Sequence, residues 1–176
     1  YLPRLPFDLS GAPTFGSAAT LDASGEGIAV MFQAPKTGNI RKIVVRTVSV
    51  TGAGTFTARL KEIDRTGTPA IPHATNLSHT NATGDQAVIT SDDNTTFAVQ
   101  LTADAAVTVG DYLCAEILIT TIGTLTVLQF NQMSDDRAMS YPYGLTNTTG
   151  SYAAISNNIV PSLGLEYDDG SFEPIV

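Results

Sequence analysis

The chain has 176 residues, a formal net charge of −8, a hydrophobic fraction of 43% and a charged fraction of only 15%. That is ample apolar material for one globular domain, and the negative charge opposes binding to nucleic-acid backbones or anionic lipid. A single cysteine, Cys114, with two histidines, His73 and His79, excludes a disulfide framework and a Cys/His zinc site. No apolar run approaches the ~20 residues of a membrane helix, so no membrane insertion is predicted.

The chain opens on Tyr1, which implies a processed chain or a missing start, and residues 1–14 read as an extended N-terminal arm to one domain spanning 1–176. Thr accounts for 24 of the 176 residues, Val and Ile are frequent, and no long window keeps a helical apolar period. β-branched residues lose rotamer freedom in helices and fit a pleated surface, so the composition predicts an all-β fold. Strands are predicted at 15–21, 26–34, 40–51, 54–65, 86–91, 96–103, 112–121, 124–132, 138–142 and 158–168. Their spacing is that of an antiparallel β-sandwich of the jelly-roll kind.

Within that series, Thr51-Gly52-Ala53-Gly54 separates two long alternating runs, and its glycines permit the positive φ of a tight turn; residues 40–65 therefore read as a long hairpin. Phe56, Ala58 and Leu60 share one face of its second strand, and Thr55, Thr57, Arg59 and Lys61 share the other, which places Arg59 and Lys61 toward water or a partner. Ile122-Gly123-Thr124 reads as a second tight turn. Cys114 lies mid-strand, where a thiol is usually an inert small hydrophobe. Residues 66–85, rich in Gly, Thr, Pro and Asn and carrying His73 and His79, read as a long exposed loop. Residues 141–152 hold three of the six tyrosines, Tyr141, Tyr143 and Tyr152, in a loop suited to recognition, and 142–176 read as a C-terminal loop and closing strand. The final Phe172-Glu173-Pro174-Ile175-Val176 has no polar ending, which points to a polypeptide that continues.

Charge is uneven along the chain. Residues 1–65 carry eight Lys/Arg against five Asp/Glu, or +3, whereas residues 66–176 carry Arg137 against twelve acids, or −11. One region of the surface is therefore predicted to be weakly basic and the remainder acidic.

Catalytic chemistry has little to stand on. Both histidines fall in the 66–85 loop, there is no Gly-x-Ser-x-Gly elbow, and no carboxylate pair stands in an apolar setting that would raise a pKa, so no enzyme is predicted. Asp92-Asp93-Asn94, Ser134-Asp135-Asp136 and Asp168-Asp169-Gly170 are clusters of hard oxygen ligands that calcium accepts. Asp22-Ala23-Ser24-Gly25-Glu26-Gly27 opens like a calcium loop, but Gln33 stands where the bidentate Glu belongs. Turn propensity alone explains all four, so calcium is the one conceivable ion and no metal site or cofactor is predicted. Asn-x-Ser/Thr sequons at Asn76, Asn81, Asn94 and Asn147 are too close to chance frequency to imply glycosylation.

Two stretches together carry a resemblance. One runs from Gly27-Ile28-Ala29-Val30-Met31-Phe32-Gln33-Ala34-Pro35 through Ile43-Val44-Val45-Arg46 to Gly67-Thr68-Pro69, with Phe97-Ala98-Val99-Gln100-Leu101 and Val109-Gly110-Asp111-Tyr112. The other is Tyr141-Pro142-Tyr143 followed by Leu165-Glu166-Tyr167-Asp168-Asp169-Gly170-Ser171-Phe172. As a set they resemble the β-sandwich modules of tailed-bacteriophage virions, the decoration, fibre or tail accessory proteins; the first alone also resembles jelly-roll domains of bacterial surface proteins. The resemblance implies a non-enzymatic structural protein on the particle surface, in contact with other virion proteins, and a homo-oligomer, with a trimer favoured. The motifs are turns and core positions, so no functional residue transfers. A second reading is a carbohydrate-binding module, with Tyr141, Tyr143 and Tyr152 stacking on a surface glycan; a third is a hydrolase with paired carboxylates.

Overall fold

A computed structural model describes residues 19–67, 70–73, 82–121, 124–127, 129–131, 143–147, 151–155 and 159–175. All regular structure among them is strand: β1 (Ala19–Leu21), β2 (Gly27–Gln33), β3 (Gly38–Thr51), β4 (Gly54–Asp64), β5 (Ile71–Pro72), β6 (Thr83–Val88), β7 (Thr96–Val107), β8 (Tyr112–Ile119), β9 (Thr124–Val127), β10 (Gln129–Asn131), β11 (Tyr143–Asn147), β12 (Tyr152–Ala154), β13 (Ile159–Pro161), β14 (Leu163–Tyr167) and β15 (Phe172–Pro174). Every pairing is antiparallel. The all-β expectation therefore holds.

The strands form two principal sheets and a short ribbon. One sheet has the order β1-β9-β3-β14-β15, with β7 on the other flank of β3; the second has the order β12-β11-β2-β8-β4-β5, with β6 also on β4. The ribbon is β10 with β13, and β13 lies against β2 and β11. The sheets share one core. Ile28, Val30, Phe32, Leu60, Leu113 and Ile117 of the second sheet are buried with Ile43, Val45, Val99, Leu163 and Leu165 of the first. Phe56 meets Phe97 edge to face across this core, with ring centroids 5.8 Å apart.

The alternation read from Thr55 to Lys61 places Phe56, Ala58 and Leu60 in the core, but one pairing differs. β3 and β4 are not a hairpin. Both flanks of β3 are occupied, by β7 on one side and by β14 and then β9 on the other, while β4 pairs with β8, β5 and β6. The turn at 51–54, with Gly52 at φ +83, instead carries the chain from one sheet to the other. A turn signal specifies reversal of direction, and neighbouring strands compete for the edge hydrogen bonds; here longer-range strands win both edges of β3. The chain changes sheets in the same way from β2 to β3, from β7 to β8 and from β8 to β9.

Three further expectations are corrected. The 66–85 segment is not loop throughout, because Ile71–Pro72 pairs with Ile63 and Asp64, and β6 starts at Thr83. The predicted strand 86–91 lies earlier, and Ile89 falls in an exposed turn. Residues 143–147 and 152–154, read as loop, form a hairpin that extends the second sheet beside β2, and Phe172–Pro174 adds a strand beyond β14. These strands are only three to five residues long and include Gly, Asn and Pro, so their period-2 signal is faint, and ladder bonds to a well-formed neighbour decide their state. The predicted arm 1–14, the predicted strand 138–142, and residues Ile122 and Gly123 lie outside the described residues.

Two close approaches tie the body together. Gly84 of β6 is buried against β7: a Cβ there would overlap the Gln100 carbonyl oxygen, so only glycine lets this backbone join the sheets' edges. Thr47, fully buried at a bulge in β3, brings its Oγ1 within 2.9 Å of the Asp92 carbonyl and 3.0 Å of the Thr95 carbonyl, anchoring the turn before β7.

Candidate functional site

The unusual chemistry lies on the face of the second sheet that points away from the shared core. In the run Leu113-Cys114-Ala115-Glu116-Ile117, alternate residues face the core, which sends Cys114 and Glu116 to the opposite side. That side is buried too. Ala29, Met31, Cys114 and Leu145 form a second apolar cluster at 0% exposure, with Ile63 and Tyr152 packed against it. β8 thus reads apolar on both faces, as a strand covered on both sides does.

Glu116 is 2% exposed within this layer. Strand register supplies its neighbours, since Arg59 on β4 and Ala29 on β2 stand directly opposite it, and Lys61 stands opposite Cys114. Lys61 Nζ lies 3.3 Å and an Arg59 guanidinium nitrogen 3.6 Å from Glu116 Oε2, while Tyr152 donates its hydroxyl hydrogen to Oε1. Oε2 meets its two cations as ion pairs and accepts no hydrogen bond of good geometry among the described residues. The tyrosine reaches this carboxylate from β12 because Gly27 on β2 has no side chain: a Cβ there would stand 3.3 Å from the Tyr152 oxygen and 2.8 Å from the Ile117 carbonyl.

The electrostatics follow from burial. The Tyr152 hydroxyl is pushed far above its ordinary range, first by desolvation and then by the Glu116 charge and the hydrogen bond to it. Burial likewise pushes the Cys114 thiol up, reinforced by Glu116 and opposed by Lys61. Both groups are held protonated, the opposite of what a nucleophile requires. The cluster is an ion-paired strut between strands, one carboxylate held by two cations and a tyrosine hydroxyl.

Of the residues singled out in the sequence, Arg59, Lys61 and Tyr152 are brought together, around a carboxylate that the sequence reading passed over. Lys61 does not face water: its side chain is 15% exposed and turned onto Glu116. A lone charge inside an apolar run was the available signal for Glu116, because a buried charge needs partners. His73 follows β5, its N–H bonds the Glu62 carbonyl at 3.0 Å, and its Nδ1 is buried with no hydrogen-bond partner among the described residues. Tyr143 pairs with Met31 through its backbone, while Tyr141 and His79 lie outside the described residues.

The acidic turns are occupied by the protein's own donors. Glu26 Oε2 accepts the N–H groups of Asp22 and Ala23, Asp92 accepts that of Ile89, and Asp93 accepts that of Val50. Asp168 binds the Asn39 amide, and Asp169 takes Lys36 Nζ at 2.7 Å and the Ser171 N–H. No group of three or more His, Cys, Asp or Glu is placed to hold a metal among the described residues. The 134–136 cluster and the Asn76 and Asn81 sequons lie outside them; Asn94 sits on an exposed turn at φ +54, and Asn147 is buried.

The predicted segregation of charge along the chain is offset in part in three dimensions. Lys36 pairs with Asp169, Arg41 with Asp104, Lys42 with Glu166, and Arg59 and Lys61 with Glu116, each a cation from the first half meeting an acid from the second. Antiparallel pairing of β3 with β7 and β14, and of β4 with β8, interleaves the two halves. No family model, curated protein or solved structure matches the chain.

Proposed function

We propose that the chain is a non-enzymatic structural module of a bacteriophage virion, a jelly-roll-type decoration, fibre or tail accessory protein that acts through contacts with other virion proteins and with copies of itself. The observation that carries this reading is the closed state of the Glu116 cluster. The groups best suited to chemistry or recognition, Glu116, Lys61, Arg59 and Tyr152, are committed to one another from three strands, β8, β4 and β12, and stiffen the sheet. A rigid scaffold uses buried charge in this way, whereas a hydrolase needs a carboxylate open to substrate. The repeated passage of the chain between sheets is compatible with jelly-roll connectivity, and the motifs that resemble virion modules support the particle surface as its location.

The glycan-binding alternative has less support, because the Tyr152 hydroxyl is already bonded and its ring packs against the second apolar cluster. The test is direct. Antibody raised against the chain should label purified virions at one structural location, and the chain should co-sediment with them through repeated washing. A chain found only in the particle-free supernatant defeats the reading.

A further inference from the structure

The two sheets differ in their outward faces. The outer face of the second is buried under its own apolar layer, whereas that of the first is open and carries Phe172 at 53% exposure. Strand register resolves this open face into two rows running across β7, β3, β14 and β15. One row is Gln100, Lys42, Glu166, Phe172, and the other is Ala98, Val44, Gly164, Pro174. The Phe172 ring leans diagonally from its own row over Gly164, where a Cβ would collide with the ring edge. The face therefore has a knob on the β14–β15 side and the shorter side chains of Ala98 and Val44 on the β7–β3 side. Lys42 and Glu166 are cross-strand neighbours joined at 2.7 Å.

The geometry points to a second copy of this chain as the occupant of this face, packed about a two-fold axis parallel to the strands between β3 and β14. Such an axis exchanges β3 with β14 and β7 with β15. It sets Lys42 over Glu166 of the partner subunit, reciprocally, and sets the Phe172 knob against the shorter side chains of Val44 and Ala98 of the second copy. The patch is thus self-complementary in both charge and shape, the requirement of an isologous contact. A chain of net charge −8 repels its own copies over most of its surface, so a face that lacks this excess of acid, where Lys42 offsets Glu166 and Arg46 stands beside Val44, is where two can meet.

Pairing along the neighbouring edge is disfavoured. Tyr167 N–H bonds the Ser171 carbonyl and Ile175 N–H bonds the Leu163 carbonyl, both at 3.0 Å, which turns the backbone polar groups of Phe172 and Pro174 outward. Pro174 has no N–H to offer there, so that edge is a poor template for another strand and the face remains.

This inference rests on the reading of the chain as an assembling module and replaces the expected trimer with two-fold pairs. The experiment is light scattering coupled to size exclusion over a concentration series, on the whole chain and three variants. Wild type should have twice the chain mass. Ala98→Lys, an exposed position clear of the core, should weaken association at least about tenfold, as should Lys42→Glu, and the double variant Lys42→Glu with Glu166→Lys should regain the dimer. A monomer at the highest soluble concentration, a trimer, or a dimer indifferent to Ala98→Lys overturns the two-fold contact. A monomer that still co-sediments with virions would sink this contact alone, whereas a dimer that never does so would sink the virion reading alone.

Discussion

Tyr152 and Glu116 meet although two strands, β11 and β2, separate the strands that carry them: the tyrosine spans the gap above Gly27 and donates its hydroxyl hydrogen to Glu116 Oε1. The bond pins the β11–β12 hairpin to the middle of its sheet. Replacing Tyr152 by Phe keeps the ring and deletes the donor, leaving a buried carboxylate oxygen short of a partner. The cost should be about 1–3 kcal/mol, read as a lowered denaturation midpoint at unchanged slope. A midpoint equal to wild type would show that the hydroxyl contributes nothing to the hairpin's attachment.

Alkaline pH should destabilise the protein through its tyrosines. Tyr152 is held above its ordinary value of 10.0 by burial and by Glu116, and Tyr167 is pushed up to about 12 by burial, with the Glu173 charge adding to it. In both cases the folded state favours the protonated form. Stability is therefore fully present below pH 10 and falls as pH rises from there through about 12, where the unfolded chain ionises and the folded one resists. Melting temperature against pH should decline over that interval, with a shallower decline in Tyr152→Phe. Identical slopes in the two proteins would remove Tyr152 from this account.

Glycines at different positions should respond unequally to alanine. At Gly84 an added methyl runs into the backbone oxygen of Gln100, which cannot swing aside, so Gly84→Ala should cost about 1–3 kcal/mol or more. At Gly110, with φ +88 and open space around it, the cost is only that of left-handed backbone, about 1–2 kcal/mol. Gly164→Ala meets the exposed end of Phe172, which can turn away, and should be the mildest of the three. Urea titration of the three variants checks the order; a Gly84→Ala protein as stable as Gly164→Ala contradicts the close approach of β6 to β7.

Cys114 is fully buried, and burial holds its thiol protonated. An aromatic disulfide reagent should label it only at the rate of structural opening, and at full speed once denaturant is added. Rapid stoichiometric labelling of the native chain is the outcome that would exclude this placement.

The β class and most strand positions were legible because side-chain alternation is local: Phe56, Ala58 and Leu60 carry their period of two wherever their strand pairs. The same signal is silent about partners, so the reversal at Gly52 read as a hairpin although it joins two sheets. The β11–β12 hairpin was hidden for the complementary reason, since Tyr143 to Asn147 is a five-residue run holding Gly and Asn and is strand because β2 offers it a ladder.

The amino-acid sequence by itself determined the all-β class, the absence of a disulfide framework, the two faces of the strand from Thr55 to Lys61, and the mid-strand position of Cys114. Tertiary structure alone decided that Glu116 would be the charge around which Arg59, Lys61 and Tyr152 gather, and that five cations of the first half would meet acids of the second. The reason is the range of the forces involved. Alternation and turn propensity act over a few residues, whereas strand order is a competition for edge hydrogen bonds and core volume among segments up to about a hundred and thirty positions apart, as between Lys36 and Asp169.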